Sequence, residues 1–369
     1  MSAGAGLTVV FQSHNRRGLG HLMRGLNIAR EVLALRPDAR VVMHTRNASA
    51  PTFCPDGVTC VVDADDPVTG WRRTLAGLAP DVVVYDTMAP ADPDAEPVPA
   101  GARVVHVLRK MVPEEHDRIL ASGFLDRCDA VVVPHTEAEF GLPLPERVRL
   151  RTVFAGTISR RPEPTGIEAV RARYAVRPGV PLLVSTAGGG GFADTAVPFF
   201  EAVRATHAEL VRRLGPDGVQ HVVVLGPNYA GEAPDLPGAH VVSVEPRLVD
   251  LFAIADLVLS EAGYNSVSEL RLLGVPAVFV PGRRRLDDQA ERALELARAG
   301  SAVVLDPAPR TVATGVADLL TDPDLMARMR RTALASRLVP GNRAAARHVL
   351  GLLALGGAAG PAARPAARS

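Results

Sequence analysis

Twice in this chain a short apolar run ends in a glycine-rich turn and passes directly into a helical pattern. The first case is Leu7–Phe11 followed by Gly18-Leu19-Gly20-His21-Leu22-Met23-Arg24. The second is Leu182-Leu183-Val184 followed by Thr186-Ala187-Gly188-Gly189-Gly190-Gly191-Phe192. Strand, glycine turn and helix together bring backbone N–H groups up to an anion with no Cβ in the way. The two turns lie about one domain length apart in 369 residues, which is long enough for two domains with their own cores.

The rest of the chain repeats this alternation. Strands are predicted at Leu7–Ser13, Arg40–Thr45, Thr59–Val62, Asp81–Asp86, Arg103–Leu108 and Ala130–Pro134, with helices at His21–Leu35 and Trp71–Leu78. In the second half strands are predicted at Pro181–Thr186, His221–Leu225, His240–Val244, Leu257–Ser260, Ala277–Val280 and Ala302–Leu305. The helices between them are Thr195–Leu214, Leu248–Ala255, Ser266–Leu273 and Asp288–Ala299. Strands apolar on both faces, separated by helices, predict parallel sheets covered on both sides. The polar, proline-bearing stretch Ser159-Arg-Arg-Pro-Glu-Pro-Thr-Gly166 marks the break between halves. The predicted organisation is therefore a domain over 1–160, a second over 161–340, a closing helix over 341–355 and a disordered Ala/Gly/Pro/Arg tail over 356–369.

Net charge is +1, so no global field attracts nucleic acid, and nucleic acid is not expected as a partner. Lys110 is the only lysine, so arginine alone is weak evidence for a site. Cys54, Cys60 and Cys128 lack metal-type spacing, and their odd number with no secretion signal predicts free thiols in the cytoplasm. No apolar run is long enough to span a bilayer, which leaves peripheral membrane contact open.

The first turn has Met23 where the dinucleotide fingerprint needs its third glycine, and no acidic residue ends the second strand, so an NAD site is disfavoured. No Gly-Lys-Ser/Thr follows either turn, which disfavours a P-loop. The more specific segment is Ser260-Glu-Ala-Gly263-Tyr-Asn265-Ser266-Val-Ser-Glu269, followed by Gly274-Val-Pro, Pro281 and Asp287-Asp288-Gln289. A buried strand ends at Ser260 and a helix starts near Asn265 or Ser266. Ser266 with Glu269 has capping-box spacing, which alone would explain Glu269. Against that, adjacent strand ends carry polar clusters where open α/β sheets bind ligands.

This segment resembles the nucleotide-sugar signature of GT-B glycosyltransferases, in particular the MurG-like N-acetylglucosaminyltransferases of peptidoglycan synthesis, over about 180–305. The resemblance implies that Glu269 binds the donor ribose, with Gly263, Asn265 and Ser266 around the nucleoside. It implies that Val244 and Glu245 border the base, that Asp288 and Gln289 approach the donor sugar, and that Gly188, Gly189, Gly190 and Gly191 hold the diphosphate. In the first half, Gly18-x-Gly20-His21-x-x-Arg24 resembles the glycine loop of the same families, and also that of nucleotide-sugar hydrolases of sialic-acid-like sugar pathways. Gly20 then belongs to the phosphate side. His21 is the candidate base, its alternative a cap or loop support, and Arg24 either neutralises phosphate or anchors the loop. His14, Asp86, His106 and Arg109 stand at strand ends on the expected acceptor side, where a structural role for each remains an alternative.

The expected fold class is α/β: GT-B, two Rossmann-like doubly wound parallel-sheet domains facing an interdomain cleft. The expected function is inverting, metal-independent transfer from a nucleoside-diphosphate sugar, UDP favoured, to a small-molecule or lipid-linked acceptor. The nucleotide sugar is a co-substrate, and no cofactor is expected. The competing readings are a nucleotide-sugar hydrolase and a non-catalytic nucleotide-sugar-binding member of the fold.

Overall fold

A computed structural model describes residues 6–16, 18–63, 66–90, 96, 98–282 and 288–355. The tail over 356–369 and Asp287 lie outside the described residues. The chain divides into two compact units. One runs to Ser159 and resumes at Val339; the other is Arg160–Leu338.

The first unit contains β1 (Thr8–Ser13), α1 (Gly20–Leu35), β2 (Arg40–Thr45), β3 (Val58–Val62), α2 (Pro67–Leu78), β4 (Val82–Asp86), β5 (Arg103–Val107), α3 (Pro113–Ala121), β6 (Ala130–Val133), α4 (Glu137–Phe140), α5 (Glu146–Arg149) and β7 (Thr152–Phe154). Its sheet has the order β3-β2-β1-β4-β5-β6-β7, all parallel. The second unit contains α6 (Pro164–Arg173), β8 (Leu182–Thr186), α7 (Ala193–Leu214), β9 (Gln220–Val224), β10 (His240–Val242), α8 (Leu248–Ile254), β11 (Leu257–Ser260), α9 (Tyr264–Leu273), β12 (Ala277–Phe279), α10 (Gln289–Arg298), β13 (Ala302–Val304), α11 (Pro309–Thr321) and α12 (Pro323–Ala335). Its sheet runs β10-β9-β8-β11-β12-β13, also parallel. The chain then returns to the first unit as α13 (Asn342–Leu355), which packs on α1.

These orders follow from strands buried on both faces. Val9, Val10, Val82, Val83 and Val105 in the first sheet and Leu183, Val184, Val222 and Val258 in the second are fully buried, so helices must cover each side. Two apolar layers result in the second unit. One forms around Phe199, Phe200 and Val316, the other around Phe252, Val267 and Phe279. β7 escaped the sequence reading because it is a three-residue edge strand, only half buried, with no periodicity to detect.

A buried histidine is held neutral in each unit, His221 in the second and His106 in the first. In the second, His207 Nε2–H donates to the Pro237 carbonyl at 3.0 Å. His207 Nδ1 therefore accepts from His221 Nδ1–H at 3.3 Å, and His221 Nε2 accepts the Ser185 hydroxyl proton at 2.8 Å. Burial lowers His221 to about 3 and, in the first unit, His106 to about 4. A histidine depressed in the fold binds protons more readily once unfolded. The stability it carries is complete above pH ~6.5 and is lost as pH falls toward its folded value, by about 1.4 kcal/mol per unit for each group. Melting temperature should therefore fall steeply between about pH 6.5 and pH 4. The slope should be shallower in His221→Gln; an unchanged slope would assign acid sensitivity to other groups.

Candidate active site

In each sheet the strand order reverses beside the first strand of the unit: between β1 and β4, and between β8 and β11. Open α/β sheets bind ligands outside the carboxyl ends of strands at such a switch point. Both glycine turns leave the sheets at these places, after β1 and after β8.

In the first unit the switch point holds a compact ionic cluster. α1 begins at Gly20, where an added Cβ would meet nothing within 4 Å, so a ligand can approach the turn closely. His21 and Arg24 lie one turn apart on the buried face of α1, and Asp86 ends β4. The side-chain alternation of β1 and β4 places Phe11, Val84 and Asp86 on one face of the sheet. The Asp86 carboxylate there accepts from His21 Nδ1–H at 2.8 Å (Oδ1) and from Arg24 Nε–H at 2.8 Å (Oδ2); Arg24 Nη2 also donates to Oδ1. Burial alone would raise the Asp86 carboxyl. The Arg24 charge and the hydrogen bonds from His21 and Arg24 outweigh burial and hold it well below the usual carboxylate range. With Nδ1–H committed to Asp86, Nε2 is the basic nitrogen of neutral His21. The His21 side chain is 11% exposed, whereas Arg24 and Asp86 are 1% and 4% exposed. Arg24 therefore anchors Asp86, and the phosphate-neutralising alternative for it loses its support.

Two other first-unit expectations need correction. His14 is drawn into an aromatic cluster: its Nε2 lies 3.0 Å from His44 Nδ1 and its ring meets Trp71 edge-on. Burial first, then the charges of His44 and Arg46, lower it to about 3, so it stays neutral and offers no charge to phosphate. His106 pairs in register with Tyr85 and so lies on the opposite face of the sheet from Asp86, fully buried against Phe124. It cannot touch an acceptor from there. Arg109, just beyond β5, is also buried.

In the second unit the Gly188–Gly191 turn leads into α7, whose N-terminus has no side-chain cap and is the end of a helix that favours an anion. Within the turn, Gly188 N–H already donates to the Thr186 hydroxyl at 3.1 Å and Gly190 N–H to the Ala187 carbonyl at 3.4 Å. Gly190 has a further reason to be glycine. At φ +69° an added Cβ would lie 2.6 Å from the Leu225 carbonyl oxygen, where the turn packs against the loop after β9. Next to this, α9 starts at Tyr264 with Gly263 as its N-cap and no side-chain cap. Ser266 and Glu269 are thus inside the helix, which removes the capping-box explanation of Glu269. The Glu269 carboxylate is buried and its Oε1 accepts from Arg160 Nε–H at 3.3 Å. Burial pushes this carboxyl up, and Arg160 pulls it back. Arg160 also donates to the Pro246 carbonyl at 2.6 Å, tying Glu269 to the loop after β10. Arg160 lies in the polar stretch read from sequence as a linker, and nothing in its local pattern distinguishes it from the many other arginines.

Glu245 has a fully employed side chain. It accepts from Arg173 Nη1–H at 2.7 Å, from the Tyr174 hydroxyl at 2.6 Å and from Arg247 N–H at 2.8 Å. With half-buried Val244, only its backbone is left to border a base. Asp288 caps α10 by accepting from Glu291 N–H at 2.9 Å, and buried Gln289 accepts from Gly282 N–H at 2.9 Å. In this arrangement Asp288 caps α10 and Gln289 ties the start of that helix to Gly282. Asn265 is half buried, on the first turn of α9.

Two Rossmann-like units, each with a glycine turn at its switch point, and a His–Asp pair in the first, define a glycosyltransferase of the GT-B class. The chain belongs to the family of UDP-N-acetylglucosamine–N-acetylmuramyl-(pentapeptide) pyrophosphoryl-undecaprenol N-acetylglucosamine transferases. It is 30% identical to the Clavibacter michiganensis member over 316 residues, 76% of this chain and 83% of that one. The model of the glycosyltransferase family 28 C-terminal domain matches residues 191–339. Among solved structures, the S. aureus MnaA–UDP complex superimposes with TM-score 0.63 at 14% identity, covering 95% of this chain and 97% of that one. The spinosyn rhamnosyltransferase SpnG gives 0.62 at 17% identity, covering 94% and 100%. At such identities these two show a shared fold.

Proposed function

We propose that this enzyme transfers a sugar, with inversion at C1, from a UDP-sugar bound by the second unit to a hydroxyl of a small-molecule or lipid-linked acceptor bound by the first. The observation that carries the reading is the His21–Asp86 pair at the switch point of the first sheet. His21 Nε2 takes the acceptor proton as the acceptor oxygen attacks C1. The bond from C1 to the β-phosphate oxygen breaks, and UDP leaves with the electron pair. Asp86 stabilises the imidazolium that forms. The N–H groups of Gly189 and Gly191 and the positive end of α7 receive the charge developing on the diphosphate, so no metal or other cofactor is required. Glu269 accepts the ribose hydroxyls. The family relatives, named for UDP-N-acetylglucosamine and a pyrophosphoryl-undecaprenol acceptor, support a UDP donor and a lipid-linked acceptor. Among the described residues no helix is long and apolar enough to cross a membrane. A nucleotide-sugar donor together with free Cys54, Cys60 and Cys128 fits a reducing compartment, and we place the enzyme in the cytoplasm, in peripheral contact with the membrane where its acceptor is lipid-linked.

The test is to incubate the full chain with UDP-sugars in the presence of a chelator, with and without acceptor, and to identify products by mass spectrometry. Glycosylated acceptor with little free sugar is expected. Sugar release at full rate without acceptor would make the enzyme a hydrolase, and a strict need for magnesium or manganese would overturn the metal-free step. In the same material Glu269→Ala should weaken UDP binding by about tenfold or more. A carboxylate that accepts from vicinal hydroxyls contributes roughly 1.5–3 kcal/mol. Unchanged affinity by calorimetry in a folded variant would remove Glu269 from the nucleotide site.

A further inference from the structure

The turn that ends β4 is strained at one residue. Thr87 has φ +60°, in the left-handed region, where a β-branched side chain is an outlier. The turn is closed by Met88 N–H donating to the Asp86 carbonyl at 2.7 Å. Such conformations persist only where the surroundings over-determine them, and they cluster at functional sites.

Thr87 is restrained through both its backbone and its side chain. Its backbone N–H donates to the Val107 carbonyl at 2.8 Å, which prolongs the β4–β5 ladder by one residue beyond Asp86. Its buried hydroxyl accepts from Arg24 Nη2–H at 2.9 Å and donates to Asp86 Oδ1 at 2.9 Å. Oδ1 is the oxygen that accepts from His21 Nδ1–H. We propose that Thr87 is a positioning residue for the transfer reaction, its hydroxyl and strained backbone fixing the Asp86 carboxylate in the orientation that presents His21 Nε2 as the base. The proposal rests on the reading of His21 as that base.

Orientation is half of the effect; charge is the other half. Oδ1 accepts from three donors, His21, Arg24 and Thr87, and each draws electron density from the oxygen. Losing the Thr87 donor leaves more negative charge facing His21 and stabilises the imidazolium over the neutral base. Among the described residues the groups whose charge bears on the carboxylate are His21 and Arg24 from α1 and, from the other face of the sheet, His106 of β5. Arg24 stays charged and His106, lowered by burial to about 4, stays neutral through the working range. A shift in the profile therefore reports His21.

The experiment compares kcat and KM against pH for the wild-type full chain, Thr87→Val, Thr87→Ser and His21→Asn, with transfer product as the readout. Thr87→Val should lower kcat by about tenfold, leave the donor KM within about twofold, and move the acidic limb of the kcat profile to higher pH. Thr87→Ser should restore both, because it returns the hydroxyl. Should valine at φ +60° fail to fold, Thr87→Gly removes the hydroxyl while relaxing the backbone, and the same kcat loss and limb shift are expected of it. A wild-type kcat and limb in a folded Thr87→Val or Thr87→Gly variant, or no recovery in Thr87→Ser, overturns the proposal. If His21→Asn itself keeps near-normal turnover, the reading of the base has failed and the Thr87 proposal with it. If His21→Asn is inactive while Thr87→Val is normal, the Thr87 proposal alone has failed.

Discussion

Replacing His21 by asparagine should lower turnover by ~100-fold or more while UDP affinity changes little. Asparagine can still donate to Asp86, so the ion pair below it survives, but it has no nitrogen able to take a proton from the acceptor. Donor binding is assigned to the glycine turn after β8 and to Glu269, both in the other unit. The variant thus separates chemistry from scaffolding. Single-turnover rates should fall while calorimetric UDP affinity and melting temperature stay close to wild type. Near-normal transfer would reduce His21 to a support of the loop and leave the proton without an acceptor in this cluster, since His106 is sealed on the far face of the sheet and His14 is packed against His44 and Trp71.

Asp86→Asn should be costly in two separable ways. An amide has one acceptor oxygen where the carboxylate has two, so its NH2 group faces either Arg24 Nε–H or His21 Nδ1–H, and where it faces His21 the imidazole loses the partner that fixes its tautomer. That tautomer effect alone reaches about four orders of magnitude in the serine-protease triad. Arg24, 1% exposed, also loses its counter-charge. Removing one partner of a buried ion pair costs about 3–5 kcal/mol, which for a unit of this size lowers the melting temperature on the order of 10 °C. Because the Asp86 carboxyl is held below its ordinary range, its stabilising contribution is present at neutral pH and lost as pH falls through that depressed value. Adding Arg24→Met to Asp86→Asn removes the stranded guanidinium. The double variant should regain much of the lost stability and none of the lost turnover. Recovery of turnover would show that Asp86 acts through folding alone.

The candidate site was legible only in part, and the reasons differ from residue to residue. Gly20, His21 and Gly188–Gly191 stand in turns whose chemistry is local, so reading along the chain finds them. Glu269 was found by resemblance. Its rival explanation, a cap at Ser266, fell because α9 begins two residues earlier than Ser266, at Tyr264. Helix starts are set by cap geometry that a glycine at the N-cap does not advertise. Arg160 and Thr87 gave no signal. Arg160 reaches Glu269 across more than a hundred residues of chain, and Thr87 matters through a backbone angle that its side-chain type argues against. Glu245, Asp288 and Gln289 show the converse. Their residue types suit a polar ligand, and the fold occupies them with hydrogen bonds of its own.

By itself the sequence determined the class of fold. Short runs apolar on both faces, alternating with amphipathic helices, are buried in parallel sheets with helices on both sides, and glycine turns after β1 and β8 mark where the loops at the two switch points leave them. Tertiary structure alone decided which polar residues meet. Whether a strand-end side chain reaches the His21 cluster depends on sheet register and face. Asp86, on the α1 side, joins His21 and Arg24, while His106, in register with Tyr85, is sealed on the opposite side. One step along a strand reverses the side chain, and which strands lie side by side is set by packing across the whole unit rather than by any local pattern.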